Sequence, residues 1–486
     1  MNPGETAVDG TYDLVLVGTG FASTFFLHRY LEKAPARARV LVIERGARHP
    51  HAWHRRHYDE LRREADASFV NRTASKEWVF SNTFGGGSTC WWACTPRMLP
   101  EDFRLHSAYG VGRDWPLTYD DLEEFYFRAE TIMAVSGPAD GAPFPRSRPY
   151  PLPPHRFTDP DRLFKQHFPD RFFQQPSARP TRTLASGRPR CCASGICHIC
   201  PIDSKFTIEN ELAHLYADPR VTLLTGAEAR VLDVAGGAVR AVRYVRNGKE
   251  QVAGAEVVGL GANAIFNPAL LLRSGLTEPA VGRGLVEQVG VSVDVLLEGV
   301  QNFQGSTSLT GHGYMLYAGE HRRKRAAALM ETSNVPALRL KRGRWRERVV
   351  LLFIYEDLPQ PGNRVTLDAT EAGRPIVEFG ARSAYAERGM AALESDLSEV
   401  LSALPVEGYQ IRDPSRSQGH ILCTTPMGRS PLDSVVDDGL VHHRIRNLLV
   451  LGGSVFPTAA PANPTLTLAA LSLRAADKLL ASGRAA

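Results

Sequence analysis

Apolar residues recur along the chain mainly in short β-rich runs, broken by glycines and polar clusters, with a few stretches of helical character. Residues 12–17 (YDLVLV) and 39–43 (RVLVI) read as strands. Residues 21–33 (FASTFFLHRYLEK) between them have helical composition and end before Pro35. Strand, helix and strand in this order predict a βαβ unit and a parallel sheet. Residues 118–134 predict a second helix, with Thr118 as N-cap and Asp121 completing a capping-box-like start. Residues 137–190 are rich in Pro, Arg and Ser, lack a helical period, and predict an irregular crossing segment. Residues 221–261 alternate like sheet, and residues 290–400 hold further strands and one helix. Residues 448–456 (LLVLGGSVF) return to a buried strand, and residues 464–481 close with a helix. No internal repeat is visible.

Composition narrows the class without defining it. With 486 residues, 43% hydrophobic and 22% charged, the chain can bury a large core over two or three domains. A formal charge of +5 is too small to imply a nucleic-acid partner. The local cluster Arg179, Arg182, Arg188 and Arg190 is assigned to a loop and lacks interleaved aromatic residues to stack on bases. Met1–Gly10 has neither a basic start nor an apolar h-region, and no run approaches a membrane span. A cytoplasmic location is expected, or a periplasmic one if a partner carries the chain there.

The first strand runs into Gly18-Thr19-Gly20-Phe21-Ala22-Ser23. Gly18 permits a tight turn, Gly20 lets backbone approach a pyrophosphate, and the following helix offers free N–H groups. Ser23 replaces the usual third Gly or Ala, which predicts looser helix–strand packing. Glu44, ending the next strand, stands where an acid binds a ribose hydroxyl, which disfavours a 2′-phosphate and hence NADP. The fingerprint alone does not separate NAD from FAD.

The C-terminal third does. Residues 420–428 read HILCTTPMG, and residues 448–468 deliver Asn463-Pro464-Thr465 to a helix start. There Asn463 is expected as N-cap and Pro464 as first helical residue. A helix N-terminus stabilises negative charge, such as that on the pyrimidine ring of a reduced flavin. His420 with Thr424, Met427 and Gly428, then SVVDDGLVHHRIRNLLVLGGSVFPT, then ANPTLT, together with the N-terminal fingerprint, resemble the glucose–methanol–choline (GMC) oxidoreductases in family order. Residues 84–104 and 109–124 are similar to the flavin subunits of bacterial gluconate and sorbitol dehydrogenases. The STxW and LGGS segments also resemble pyranose oxidases.

The resemblance implies an α/β fold, with a Rossmann-type FAD-binding domain assembled from residues 1–135, 206–288 and 419–486. It implies a substrate domain with an antiparallel sheet over 289–418, and a crossing segment with the cysteine cluster over 136–205. It implies His420 as the catalytic base, with an imidazole pKa suited to neutral pH, and Asn463 as its partner on the substrate oxygen. Cofactor contacts are expected from Gly18, Gly20, Ser23, Glu44, Gly86, Ser88, Thr89, Cys90, Val231, Gly453, Ser454, Pro464 and Thr465. Asn263, Asn267 and Pro268 match the second nucleotide-side segment, either touching FAD or forming the turn before a buried helix. His442 and His443 read as surface or loop residues. Where pyranose oxidases carry a flavin-linked histidine, this chain has Cys90, so FAD is expected to be non-covalent, with a cysteinyl link as the alternative. Gly452 stands where many relatives have Asp, which leaves the flavin contact there to backbone.

Seven cysteines include four within CCASGICHICP: Cys191, Cys192, Cys197 and Cys200. Clustered thiolates suit iron–sulfur or zinc. Bacterial FAD glucose dehydrogenases carry a similar run, CC-x4-C-x3-CP, holding a three-iron four-sulfur cluster, and this chain is one residue shorter in the last gap. A cluster, a zinc site, and free thiols or disulfides all remain open.

The expected activity is oxidation of an alcohol group on a sugar, glycoside or polyol by hydride transfer to flavin. Electrons would pass to a non-oxygen acceptor, a cytochrome or quinone, with a small partner subunit. The alternative is an oxygen-using oxidase of the pyranose oxidase or glycoside 3-oxidase type, producing hydrogen peroxide. An NAD-dependent dehydrogenase and a non-catalytic electron carrier are the rivals from other classes.

Overall fold

The computed structural model describes residues 10–139, 141–369 and 373–482. The first nine residues, on which the expectation of a missing leader rests, lie outside them.

The βαβ start forms as the pattern predicts. Strand Thr11–Val17, helix Phe21–Lys33 and strand Val40–Ile43 follow one another, with the two strands parallel in register Leu14↔Val40 to Val17↔Ile43. They lie in a seven-stranded mixed sheet, six strands ordered Val221–Leu224, Val40–Ile43, Thr11–Val17, Lys249–Leu260, Ala238–Arg246, Ala227–Ala235, with Leu448–Val450 as the seventh, paired with Lys249–Leu260. Strand Lys249–Leu260 does two jobs along its length. Its first half pairs antiparallel with Ala238–Arg246, while its second half runs parallel to Thr11–Val17 and to Leu448–Val450. The C-terminal segment thus returns to the sheet begun at the N-terminus.

Helix Phe21–Lys33 packs against the C-terminal helix Thr465–Ala481, and both share the core of this sheet. Phe25, Phe26, Leu27 and Tyr30 are fully buried, each worth about 1.5–3 kcal/mol of burial for an apolar side chain of this size. Ser23 does not loosen the packing. Its hydroxyl donates to Val17 O at 3.1 Å, and a Cβ at Gly261 would fall 2.0 Å from Ser23 Oγ. The small residue required at this close approach is Gly261, on the neighbouring strand's end, rather than the third fingerprint position.

A second, six-stranded antiparallel sheet is ordered Val406–Ile411, Val289–Leu297, Arg348–Tyr355, Ala328–Ser333, Leu309–Gly313, Phe172–Gln174. Its inner face packs valines 289, 291, 293 and 295 with Leu351 and Phe353 under helices Ala384–Ala391 and Leu393–Val400. The expected single helix over 290–400 is therefore two short ones. The architecture is the α/β fold predicted: a nucleotide-type sheet beside an antiparallel sheet.

The crossing segment is less irregular than its composition suggests. It contains helix Asp159–His167 and the edge strand Phe172–Gln174. Thr158 and Asp161 form a reciprocal capping box, and Pro160 sits in the first turn, so a short helix is set by its start rather than by a long apolar period. The arginine cluster is not wholly a loop surface either. Arg179 and Arg188 are buried, with Arg188 donating to Met133 O. No helix among the described residues is long and apolar enough to cross a membrane.

Candidate active site

The carboxyl ends of the parallel strands converge on one cavity of about 540 Å³. Val17 and Gly18, Ile43 and Glu44, Gly261, and Leu451 to Gly453 supply its nucleotide-side wall, the crevice position at which open α/β sheets bind ligands. Gly18 has φ +91°, and a Cβ there would fall 2.7 Å from Gly261 O. Only glycine fits both the conformation and the contact. The space beside Gly20 is open, leaving backbone free to meet a pyrophosphate at the start of helix Phe21–Lys33.

Glu44 is buried and accepts three hydrogen bonds: from Thr19 N at 2.9 Å, Thr19 Oγ1 at 2.6 Å and Gly46 N at 2.7 Å. Burial pushes its carboxyl up, opposed by these donors. A carboxylate offers about four acceptor positions, so one remains for a ribose hydroxyl. The residues present therefore fit a dinucleotide.

Of the other expected contacts, Gly86, Cys90, Gly453, Pro464 and Thr465 line the cavity. Ser23, Ser88, Thr89, Val231 and Ser454 sit behind the wall. Ser88 donates to Gly85 O and accepts from Ile208 N, and Thr89 donates to Gly86 O. The lining residues near Val231 are Ala227, Glu228 and Ala229. Asn263 lines the cavity, whereas Asn267 is buried behind it, donating to Leu451 O and Ser454 Oγ. Pro268 lies inside helix Asn263–Arg273. His442 is in a loop but buried, its Nδ1 accepting from Arg444 N and Ile445 N.

The opposite wall carries side-chain chemistry. His420 and Asn463, more than forty positions apart in sequence, line the same cavity, together with Glu331 from the antiparallel sheet. Helix Thr465–Ala481 starts one residue later than expected, with Pro464 rather than Asn463 as its cap. Asn463 is thereby released to the site. It is buried, its Oδ1 has no hydrogen-bond partner among the described residues, and its side chain helps hold the Glu331 carboxyl down. The helix N-terminus points its free N–H groups at the same space.

His420 Nδ1 is bonded to Gln288 Oε1, and its backbone N–H donates to Glu287 at 3.0 Å. Burial holds the imidazole down at about pKa 4, partly opposed by Glu331. Burial alone would push the Glu331 carboxyl up, but His312, His420 and Asn463 hold it below its usual range. His312 Nε2 lies 3.2 Å from Glu331 Oε1, and Gln175 Nε2 lies 3.4 Å from it. Glu287 pairs with the buried Lys76. Tyr58, Trp92 and His198 add aromatic surface to the cavity, with the His198 ring 5.1 Å from Tyr58 and 6.0 Å from Trp92. Glu287, Gln288, Glu331 and Lys76 escaped the sequence reading. Their only local signal is an Glu-Gln pair entering a valine-rich strand.

Cys90 lines the cavity, its thiol pushed up by burial. The other cysteines are engaged separately. Cys197 Sγ donates to Ser308 Oγ at 3.0 Å, Cys200 Sγ accepts from Ser204 N at 3.2 Å, Cys191 lies 3.6 Å from Thr307 Oγ1, and Cys192 is exposed. The cationic side chains of Arg179 and Lys205 occupy this neighbourhood, Lys205 donating to Thr89 O, Trp91 O and His198 O. Among the described residues, no three His, Cys, Asp or Glu side chains converge as metal ligands.

The site sets an imidazole and an amide against a cavity that fits a dinucleotide, the groups that a cofactor-dependent oxidoreductase acting on an alcohol requires. The GMC oxidoreductase family model matches residues 359–472. The chain is 30% identical to the fructose dehydrogenase large subunit of Gluconobacter japonicus, over 84% of this chain and 82% of that one. It therefore belongs to the GMC oxidoreductase family. It is also 28% identical to 6'''-hydroxyparomomycin C oxidase of Streptomyces lividus, over 100% of this chain and 94% of that one. In fold it is similar to pyridoxine 4-oxidase from Mesorbium loti, with TM-score 0.68 and 19% identity, covering 97% of this chain and 99% of the other.

Proposed function

We propose that the chain oxidises an alcohol group of a sugar or glycoside and uses dioxygen as electron acceptor, releasing hydrogen peroxide. The observation that carries the alcohol chemistry is the meeting of His420, Asn463 and the dinucleotide wall in one cavity. When bound, FAD supplies the hydride acceptor at its N5 and hands the electron pair on.

The chain's own residues manage the proton and the oxygen. His420, neutral at physiological pH because burial holds its pKa at about 4, takes the hydroxyl proton at Nε2 as the C–H bond breaks. Asn463, with its Oδ1 unpartnered, accepts from a neighbouring substrate hydroxyl and so orients the reacting one, whose own proton goes to His420. Glu331 favours the imidazolium that results. The N-terminus of helix Thr465–Ala481 favours negative charge beside it. Tyr58, Trp92 and His198 supply apolar ring faces for the substrate's carbon skeleton.

One observation supports dioxygen over the non-oxygen acceptor expected from sequence: a relative aligned over the whole chain is an oxidase. The dehydrogenase reading is favoured by the fructose dehydrogenase likeness, and FAD is proposed as non-covalent. Parallel assays decide between them: oxygen uptake with peroxide release, against reduction of an artificial quinone or dye, with iron measured on the same sample. Peroxide formed in step with sugar oxidation in iron-free protein is expected. Slow oxygen uptake, fast dye reduction and several irons per chain would return the assignment to a dehydrogenase with a partner subunit.

A further inference from the structure

We infer that Gln288 is the positioning residue that fixes the tautomer of His420 and ties it to the loop carrying Asn463; this rests on His420 being the base. Gln288 is 2% exposed and stands immediately before strand Val289–Leu297. Its Nε2 donates to two carbonyl oxygens, Ala460 O and Ala462 O, the latter at 2.9 Å. An amide nitrogen has two N–H groups and no acceptor capacity, so both protons are used. Rotating the amide would set its oxygen against two carbonyl oxygens and leave them unsatisfied in a buried place. The orientation of the amide is therefore fixed, and Oε1 faces His420 Nδ1.

An oxygen that only accepts requires Nδ1 to carry the proton. The neutral ring then holds its lone pair on Nε2, which has no hydrogen bond to any described residue. Glu287 grips the same loop through Gln418 N, at 2.9 Å, and His420 N. Tyr317 accepts from Ala462 N at 3.3 Å and donates to the buried Asp102. Ring and Asn463 loop are thus held through one side chain, Gln288, and the base-bearing loop through its neighbour Glu287. A carboxylate at 288 could accept from Nδ1 but would repel Ala460 O and Ala462 O, so glutamine alone serves both ends. The charged groups around His420 are Glu331, Lys76 and Glu287, the last two paired with each other.

The test compares FAD-loaded wild type, Gln288→Leu and Gln288→Glu by anaerobic flavin reduction across pH, and by nitrogen NMR of labelled histidine. His420 is assigned by its loss in His420→Ala. Wild type is expected to show Nδ1–H. Gln288→Leu should keep FAD but lose roughly 10–100-fold in reduction rate, as expected when a general base loses its alignment. Gln288→Glu should raise the pH midpoint of the rate, because an added carboxylate favours the imidazolium. An Nε2–H signal in wild type would overturn the inference, as would Leu and Glu variants that lose rate equally with the wild-type midpoint, or that lose none. If His420→Ala itself reduces its flavin normally, the base assignment fails instead, whatever the position-288 variants do.

Discussion

The two walls of the cavity are built in opposite ways. The nucleotide wall uses backbone: strand ends, glycines and one helix start, with its turn and its acid within residues 17–46. The proposed catalytic wall uses side chains from four distant places, Gln288, Glu331, His420 and Asn463, the first three held by partners elsewhere in the sequence. Backbone sites tolerate changes of side chain but not of space. Side-chain sites tolerate changes of space but not of hydrogen-bonding type. The two walls should therefore fail differently when altered.

The largest expected effect is on the nucleotide wall. Gly18→Val asks for φ +91° from a β-branched residue and drives its Cβ to 2.7 Å from Gly261 O. Purified protein should be colourless, with flavin content by absorbance near zero. A yellow Gly18→Val protein would mean that the turn is not the cofactor's seat. His420→Ala acts on the other wall. It should keep its flavin and lose about 10²–10⁴-fold in the rate of flavin reduction by substrate, measured by stopped flow. In the wild type that rate should fall as pH drops through about 4, where the imidazole takes up its proton.

A smaller effect is expected from Glu331→Gln, which keeps the shape but removes the charge facing His420 and Asn463. One charge-assisted hydrogen bond is worth about 1.5–3 kcal/mol, so a loss of about 10–100-fold in reduction rate with flavin retained is expected. An unchanged rate would move Glu331 to a purely packing role. The smallest effect concerns stability. His54, His155 and His420 are each held by burial at about 4 in the folded chain, against 6.5 ordinarily. Between these values the unfolded chain binds more protons, so stability is full above pH 6.5 and declines towards pH 4. The thermal midpoint of wild type should fall over that window, and less so for His155→Gln. Equal slopes would remove His155 from the account.

The contrast also explains what was legible in the sequence. The strand–glycine–helix start, the acid at Glu44 and the closing helix are local patterns, and they form within a residue or so of the predicted ends. His420 and Asn463 were readable because their motifs are contiguous. Gln288 and Glu331 were not, because their roles exist only once the antiparallel sheet brings strands Val289–Leu297 and Ala328–Ser333 beside the C-terminal loops. Helix Asp159–His167 was missed because its single capping box lies within a proline-rich stretch. The cysteine run was read from spacing and resemblance, which left a cluster, zinc and free thiols open; in the fold Cys197 bonds Ser308 and Cys200 accepts from Ser204 N.

The most direct measurement is the visible flavin spectrum of the FAD-bound protein during anaerobic addition of sugars and simple glycosides, for wild type and His420→Ala side by side. The account predicts that at least one sugar or glycoside bleaches the wild-type flavin within seconds, while His420→Ala stays yellow over the same time. Equal bleaching of both proteins would contradict it, as would a wild-type flavin that no alcohol reduces but a reduced nicotinamide does.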